Sequence, residues 1–162
     1  INAWNNGKLP IAAAGNDTSS NLCYPAAYTN VVAVSAVAYD NGGNLISPLY
    51  SNYGNWVDVC APGGGDNSNV CYVLSTLPNS NYGGTGWVGT SMASPHVTGV
   101  AGLIFAVNPF LTNSQARTIL ETQVFDLGTS GYDIYFGYGM VCAYNAYLEE
   151  CNQFSVTIKA GG

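Results

Sequence analysis

Short apolar runs, separated by polar or glycine-rich segments, divide the chain into candidate strands and helices. The run from Val31 to Val37 is continuously apolar and rich in β-branched residues, which is typical of a strand covered on both faces. Similar but shorter runs predict three further strands, at Pro10–Ala14, Trp56–Cys60 and Cys71–Thr76. Turn residues at 40–43, and polar or glycine-rich loops at 63–69 and 79–86, separate these strands.

The longest apolar stretch predicts a helix from Thr90 to Val107. This helix is apolar on all sides, so we expect it to be buried in the centre of the fold. Asn108-Pro109 ends it, and Thr112 is a suitable N-cap for a second helix over Asn113–Thr122. The end of a helix is expected at Ile1–Lys8, and a short strand and a short helix at Ala143–Glu150 follow residues 137–139.

Strands that alternate with helices indicate an α/β fold with a largely parallel sheet around the buried central helix. The 162 residues suit one domain, and nearly half of them are apolar, enough for a sizeable core. The chain begins at Ile1 without Met, which we interpret as processing or truncation of a longer protein.

Charge and the length of the apolar runs argue against two classes of partner. The net charge is −6, and the chain has three basic residues, which are too few to neutralise several phosphates, so we expect no nucleic acid partner. The apolar run from Val97 to Val107 is shorter than the roughly 18 residues of a membrane span, so we also expect no membrane association. The uncharged but polar composition favours a secreted, extracellular protein with many ordered loops.

The five cysteines leave two interpretations open. They are free buried thiols, or, as the extracellular composition favours, some of them form disulfides. Cys60–Cys71 and Cys142–Cys151 are the local pairings, and the odd count leaves one cysteine free or bonded to another chain. No cysteine or histidine spacing is typical of a metal site, and we expect neither metal nor cofactor.

Ser91 is the candidate nucleophile. It follows Gly89 and Thr90 at the start of the long helix, where the positive end of the helix dipole and unpaired N–H groups can stabilise a developing oxyanion. An ordinary N-cap serine would occupy the same place in the pattern, so helix physics alone does not decide between the two interpretations.

The longer motif favours the nucleophile. The run from Gly89 to Ala101, GTSMASPHVTGVA, resembles the active-site serine motif of the subtilases. Further resemblances to this family of serine proteases cover about residues 8 to 148, in the order IAAAGN (11–16), YPA (24–26), VVAV (31–34), SNYG (51–54), VDVCAPG (57–63), LST (74–76) and GYGMV (137–141). The resemblance implies a subtilisin-like fold, of which residues 1–162 are the C-terminal part of one catalytic domain.

The resemblance also implies roles for single residues. Ser91 would attack the substrate, and the Asn16 amide and the Ser91 N–H would bind the oxyanion. Met92 and the strand residues Ala13, Ala14 and Gly15 would border the substrate cleft, and Cys23 would lie near the base of the specificity pocket. Asn16 also begins the sequon Asn16-Asp17-Thr18, so glycosylation is a competing interpretation of this residue.

The only histidine, His96, is not expected to be the catalytic base. Five residues along a helix it points well away from Ser91, and the family resemblance implies a structural, buried histidine here. The loop from Tyr24 to Val31 also resembles one whose backbone carbonyls hold a cation in some subtilases. The candidate carbonyls here are those of Ala26, Tyr28 and Val31. No carboxylate motif supports strong binding here, so we expect no bound metal.

The catalytic Asp and His motifs of subtilases do not occur in the chain, although a triad needs all three groups. We therefore expect a separate N-terminal chain or segment to supply them, in a secreted endopeptidase that cleaves peptides or proteins. A truncated fragment, and an inactive module that only binds, are the alternatives. An α/β-hydrolase esterase is disfavoured because the GxSxG pattern is absent around Ser91.

Overall fold

The computed structural model describes residues 2–65 and 72–160, with the side chains of 152–160 left aside. Its eight strands are β1 Ile11–Ala13, β2 Val32–Tyr39, β3 Leu45–Ile46, β4 Val59–Pro62, β5 Ser75–Leu77, β6 Asn81–Gly83, β7 Val124–Phe125 and β8 Met140–Val141. The helices in the described residues are α1 Asn2–Asn5, α2 Thr90–Val107, α3 Asn113–Thr122 and α4 Ala143–Ala160.

One sheet organises the domain, with strand order β1-β2-β4-β8-β7. Strands β1, β2, β4 and β8 run parallel to one another, and β7 is antiparallel to β8. The short strand β3 pairs with the end of β2 in the antiparallel direction. Every residue of β2 except Tyr39 is buried, because helices cover the strand on one side and loops cover it on the other. The predicted α/β fold with a largely parallel sheet is confirmed.

The two long helices that follow β6 begin and end where the sequence predicts. Helix α2 packs across β1, β2 and β4 through a stripe of buried residues that includes Val97, Ala101 and Ile104. Helix α3 begins at a capping box, in which Gln115 N–H donates to the Thr112 hydroxyl and the Gln115 side chain accepts from Thr112 N–H.

The expectation that α2 is buried on all sides is wrong. Its second face, including Gly99, Gly102 and Leu103, is exposed, since no described element packs there. Counted over all 18 residues, α2 is long and apolar enough to cross a membrane, although the apolar run from Val97 alone is too short. A core helix of a globular protein meets the same criterion, and one face of α2 does pack on the sheet.

Three element boundaries also differ from the prediction. The strand expected at Cys71–Thr76 lies partly outside the described residues, and β5 instead pairs with β6 in an exposed two-stranded hairpin. The strand expected at Trp56–Cys60 is shifted to Val59–Pro62. The last helix continues to Ala160 rather than ending at Glu150, because no glycine or proline interrupts it.

Of the two local disulfide options, Cys142–Cys151 is not formed, and the cysteines in the described residues are thiols. Cys142 is a buried thiol that precedes α4, and Cys151 lies nine positions further along, within the helix. At ~1.5 Å per residue their Cα atoms are ~13 Å apart, beyond the ~7 Å that a disulfide spans. Cys60 is a buried thiol in β4 whose pKa is raised by burial, and its proposed partner Cys71 lies outside the described residues.

Arg117 ties α3 to the sheet and to a loop. Its guanidinium donates to Asp58 at 2.7 Å, to Glu121 at 2.6 Å and to the Thr29 carbonyl at 2.7 Å. Burial lowers the pKa of Arg117, but the charges of Asp58 and Glu121 outweigh burial and raise it. Burial also raises the pKa of Asp58, and hydrogen bonds from Ala33 N–H and Arg117 oppose this shift.

We expect Arg117→Met to lower the free energy of unfolding by about 2–3 kcal/mol, because Asp58 would stay largely buried without its partner. Urea unfolding of the intact protein measures the change. Lys8→Met is the control, since Lys8 is an exposed cation and its replacement should cost less than about 0.5 kcal/mol. Equal losses from the two variants would contradict the role given to Arg117.

Candidate active site

Ser91 is the second residue of α2, and its side chain is exposed. The N-cap is Gly89, whose φ of 146° and ψ of 161° suit a residue without Cβ. The alternative that Ser91 is an ordinary N-cap is therefore wrong. The Ser91 hydroxyl has no hydrogen-bond partner among the described residues, so it is available to a base and to a substrate.

The start of α2 leaves one backbone donor open beside this hydroxyl. Thr90 N–H donates to Asn16 Oδ1 at 2.9 Å, and Met92 N–H donates to the Gly89 carbonyl at 2.9 Å. Between them, Ser91 N–H has no acceptor within the described part of the chain. An open N–H at the positive end of an 18-residue helix is suited to bind a developing negative charge.

Asn16 faces the same end of the helix and lies three residues after the end of β1. Its Oδ1 accepts from both the N–H and the hydroxyl of Thr90, each at 2.9 Å. A backbone N–H can only donate, so this contact fixes which amide atom is the oxygen. Asn16 Nδ2 is left without an acceptor in the described residues, as a second donor near Ser91. A glycan on the sequon would occupy this same nitrogen.

Gly89 makes this juxtaposition possible. A Cβ on Gly89 would lie 3.3 Å from Asn16 Nδ2, so a larger residue would crowd the amide. Its N–H donates to the Gly63 carbonyl at 2.8 Å, which connects the start of α2 to the end of β4. The helix terminus, the strand end and the asparagine turn are thereby held together.

The predicted cleft residues occupy different environments. Ala13 is the last residue of β1 and is half-buried, whereas the Ala14 side chain is fully buried. Gly15 lies beside the site, because its N–H donates to the Thr90 hydroxyl at 3.1 Å. These residues are brought next to Asn16, and their contact with substrate stays a prediction.

Met92 lines a cavity of about 280 Å³ that opens beside Ser91. Apolar side chains form much of its wall, together with His96; the other lining residues are Val73, Leu74, Ser75, Trp87 and Pro95. A space of this size beside Ser91 is large enough to hold an amino-acid side chain.

His96 is bonded to its own helix. Its Nδ1 lies 2.8 Å from the Met92 carbonyl, and no hydrogen bond joins it to Ser91. The expectation that His96 is buried is wrong, because it lies on the open face of α2. The described residues contain no group of three His, Cys, Asp or Glu that could hold a metal ion.

In the loop that resembles a cation site, two of the three candidate carbonyls accept hydrogen bonds from protein donors. The Tyr28 carbonyl accepts from Val31 N–H at 2.9 Å, and the Val31 carbonyl accepts from Arg117 at 3.4 Å. The guanidinium therefore supplies positive charge to this loop.

Two residues at the site have no assigned role in the sequence analysis. Thr90, fully buried, orients Asn16, and Asn52, which is 2% exposed, bonds to the turn that carries Asn16. Both belong to quoted motifs, GTSMASPH and SNYG, but a motif does not state which hydrogen bonds its residues make.

Comparison with known proteins places these features in a family. The model of the subtilase family matches residues 1–139. A thermophilic serine proteinase from Bacillus sp. (strain AK1) is 42% identical over 144 residues, which are 89% of this chain and 32% of that protein. The halolysin-like extracellular serine protease Nep of Natrialba magadii is 42% identical over 137 residues, or 85% of this chain and 23% of that protein.

A crystal structure of a lanthipeptide protease superposes with a TM-score of 0.76 at 27% sequence identity, over 91% of this chain and 52% of that one. The chain spans less than half of the length of the Bacillus and Natrialba proteinases. The serine motif, the asparagine turn and every strand of the sheet except β8 lie within the matched residues, and the chain belongs to the subtilase family.

Proposed function

We propose that this chain is the C-terminal, nucleophile-bearing part of a secreted subtilisin-type serine endopeptidase. One observation carries the proposal. An exposed serine at the start of α2 lies beside two open donors, Ser91 N–H and Asn16 Nδ2, which face the same helix end. A domain that only binds would need neither the exposed serine nor the open amide of Asn16.

In the proposed reaction, Ser91 Oγ attacks the peptide carbonyl while a histidine from the N-terminal segment takes its proton. Ser91 N–H and Asn16 Nδ2 donate to the carbonyl oxygen as it becomes negative. The C–N bond then breaks, and the histidine returns the proton to the leaving amine. Water repeats the sequence on the acyl-enzyme, releases the acid and restores Ser91.

Two open surfaces support a partner segment that carries the Asp and the His. Strand β1 is an edge strand of the sheet in the described chain and pairs only with β2. The uncovered face of α2 borders a cavity of about 540 Å³ between Leu9, Gly102 and Phe105. An unpaired strand edge and an apolar helix face are both costly in water, so a covering segment would stabilise them.

We further propose that this segment is a separate chain of the same protease. Cys23 is a free thiol of intermediate exposure and is accessible for a covalent link to that chain. Mass spectrometry of the intact, non-reduced protein tests the arrangement: a second chain carrying Asp and His is expected. One polypeptide, or this chain alone, would contradict it.

Ser91→Ala should abolish turnover and covalent labelling by a fluorophosphonate, because the variant lacks the hydroxyl that forms the acyl-enzyme and reacts with the label. Folding should be nearly unchanged, since the exposed hydroxyl has no partner among the described residues. Labelling of the native protein, followed by peptide mapping, measures this. Ser94→Ala, three residues along the same helix, is the control and should still be labelled. An unlabelled but folded native protein would instead support the inactive binding module.

Asn16→Ala should lower kcat about a hundredfold or more with a smaller change in KM, because one donor to the oxyanion is lost in the transition state. Steady-state kinetics on a peptide substrate separate the two constants. Asn55→Ala, an exposed asparagine elsewhere, should leave both constants unchanged. A kcat at the level of the unsubstituted enzyme would remove Asn16 from the mechanism.

A further inference from the structure

The turn that carries Asn16 is bonded to a neighbouring loop at nearly every residue. Thr18 N–H donates to the Tyr50 carbonyl at 3.1 Å, and its hydroxyl donates to the Leu49 carbonyl at 2.7 Å. Tyr53 N–H donates to the Ser19 carbonyl at 3.1 Å. At the centre of this contact lies Asn52, in the SNYG motif to which the proposed mechanism gives no role.

We propose that Asn52 is a positioning residue, which acts on the reaction by fixing the turn that holds Asn16. The inference rests on the proposed function. Asn52 is 2% exposed and has no route to substrate, so any effect on catalysis must pass through the residues it contacts.

The Asn52 amide bonds to the chain on both sides of Asn16. Its Oδ1 accepts from Asp17 N–H at 2.8 Å and from Ser19 N–H at 3.1 Å. Its Nδ2 donates to the Ala14 carbonyl at 3.0 Å. The Asn52 backbone N–H adds a fourth bond, to the Gly15 carbonyl at 2.9 Å. One buried side chain thus spans the turn whose middle residue is Asn16.

The turn needs such a support because its backbone is strained. Thr18 has a φ of 53°, in the left-handed region that β-branched residues disfavour. Without the contacts to the loop, Thr18 would relax to a commoner conformation and rotate the chain two residues after Asn16. The bonds from Asn52 to Asp17 and Ser19 bracket Thr18, so they hold the strained conformation in place.

Thr90 and Asn52 hold different parts of Asn16. Thr90 fixes the Asn16 side chain, through two hydrogen bonds to Oδ1. Asn52 fixes the backbone from which that side chain extends. A donor to an oxyanion acts only when it is at the right place, and displacements of about 1 Å can cost about a hundredfold in rate.

The experiment is a double-mutant cycle on the active, complete enzyme, with Asn52→Ala made alone and together with Asn16→Ala. Alone, Asn52→Ala should lower kcat about tenfold and change KM less than twofold. In the Asn16→Ala background it should lower kcat less than twofold, because no donor remains to be misplaced. Active-site titration with a fluorophosphonate counts the competent sites, so that kcat refers to folded enzyme.

Ser35→Ala is the matched control, since Ser35 is fully buried and its hydroxyl bonds to the Tyr135 carbonyl, away from the turn. It should lower thermal stability without lowering kcat. Asn52→Ser, a milder change, replaces Asn52→Ala in the cycle if the alanine variant does not fold, with the same pattern expected.

Three results would overturn the inference: an unchanged kcat in Asn52→Ala, an equal loss of kcat in both backgrounds, or an equal loss in Ser35→Ala. Ser91→Ala keeps this test separate from the proposed function. If Ser91→Ala abolishes turnover while Asn52→Ala does not alter kcat, only the role of Asn52 fails. If Ser91→Ala remains active, the proposed function itself fails.

Discussion

The contact between Thr90 and Asn16 is the interaction on which the site depends. It joins the first residue of α2 to Asn16, in the turn that follows β1, and these residues are 74 positions apart in the chain. Because Oδ1 of Asn16 is bonded twice to Thr90, the amide nitrogen is left as an open donor among the described residues. The same contact takes up Thr90 N–H, and it leaves Ser91 N–H as the open donor at the helix terminus.

Around this contact the sheet and the central helix act as a frame. Strands β1, β2 and β4 are parallel, so their carboxyl ends lie at one edge of the sheet, beside the start of α2. Residues that follow these strands are therefore neighbours although they are distant in sequence, Asn16 after β1 and Gly63 after β4. A rigid frame of this kind can hold donors in place before a substrate arrives, which is how electrostatic stabilisation of a transition state becomes effective.

Sequence patterns predicted the parts of this frame that are determined locally. The bounds of α2 follow from an apolar run closed by Asn108-Pro109, and the start of α3 follows from the Thr112 and Gln115 capping residues. Strand β6 lacks an apolar alternation, so nothing in the pattern distinguished it from the loop predicted at 79–86. The exposed face of α2 was missed for another reason: composition reports what a helix can bury, not which neighbours are present. The bonds of Asn52 to a turn 35 positions away have no local signal at all.

Gly15 and Asn52 are also linked by space. A Cβ on Gly15 would overlap with Asn52 Nδ2, and the glycine has a φ of 103° that other residues rarely adopt. Any larger residue at position 15 would push Asn52 aside, and any bulkier residue at position 52 would meet the backbone of Gly15. The two positions therefore cannot drift independently during evolution, and a lineage that replaces the asparagine must do so with a side chain that still leaves room for the turn.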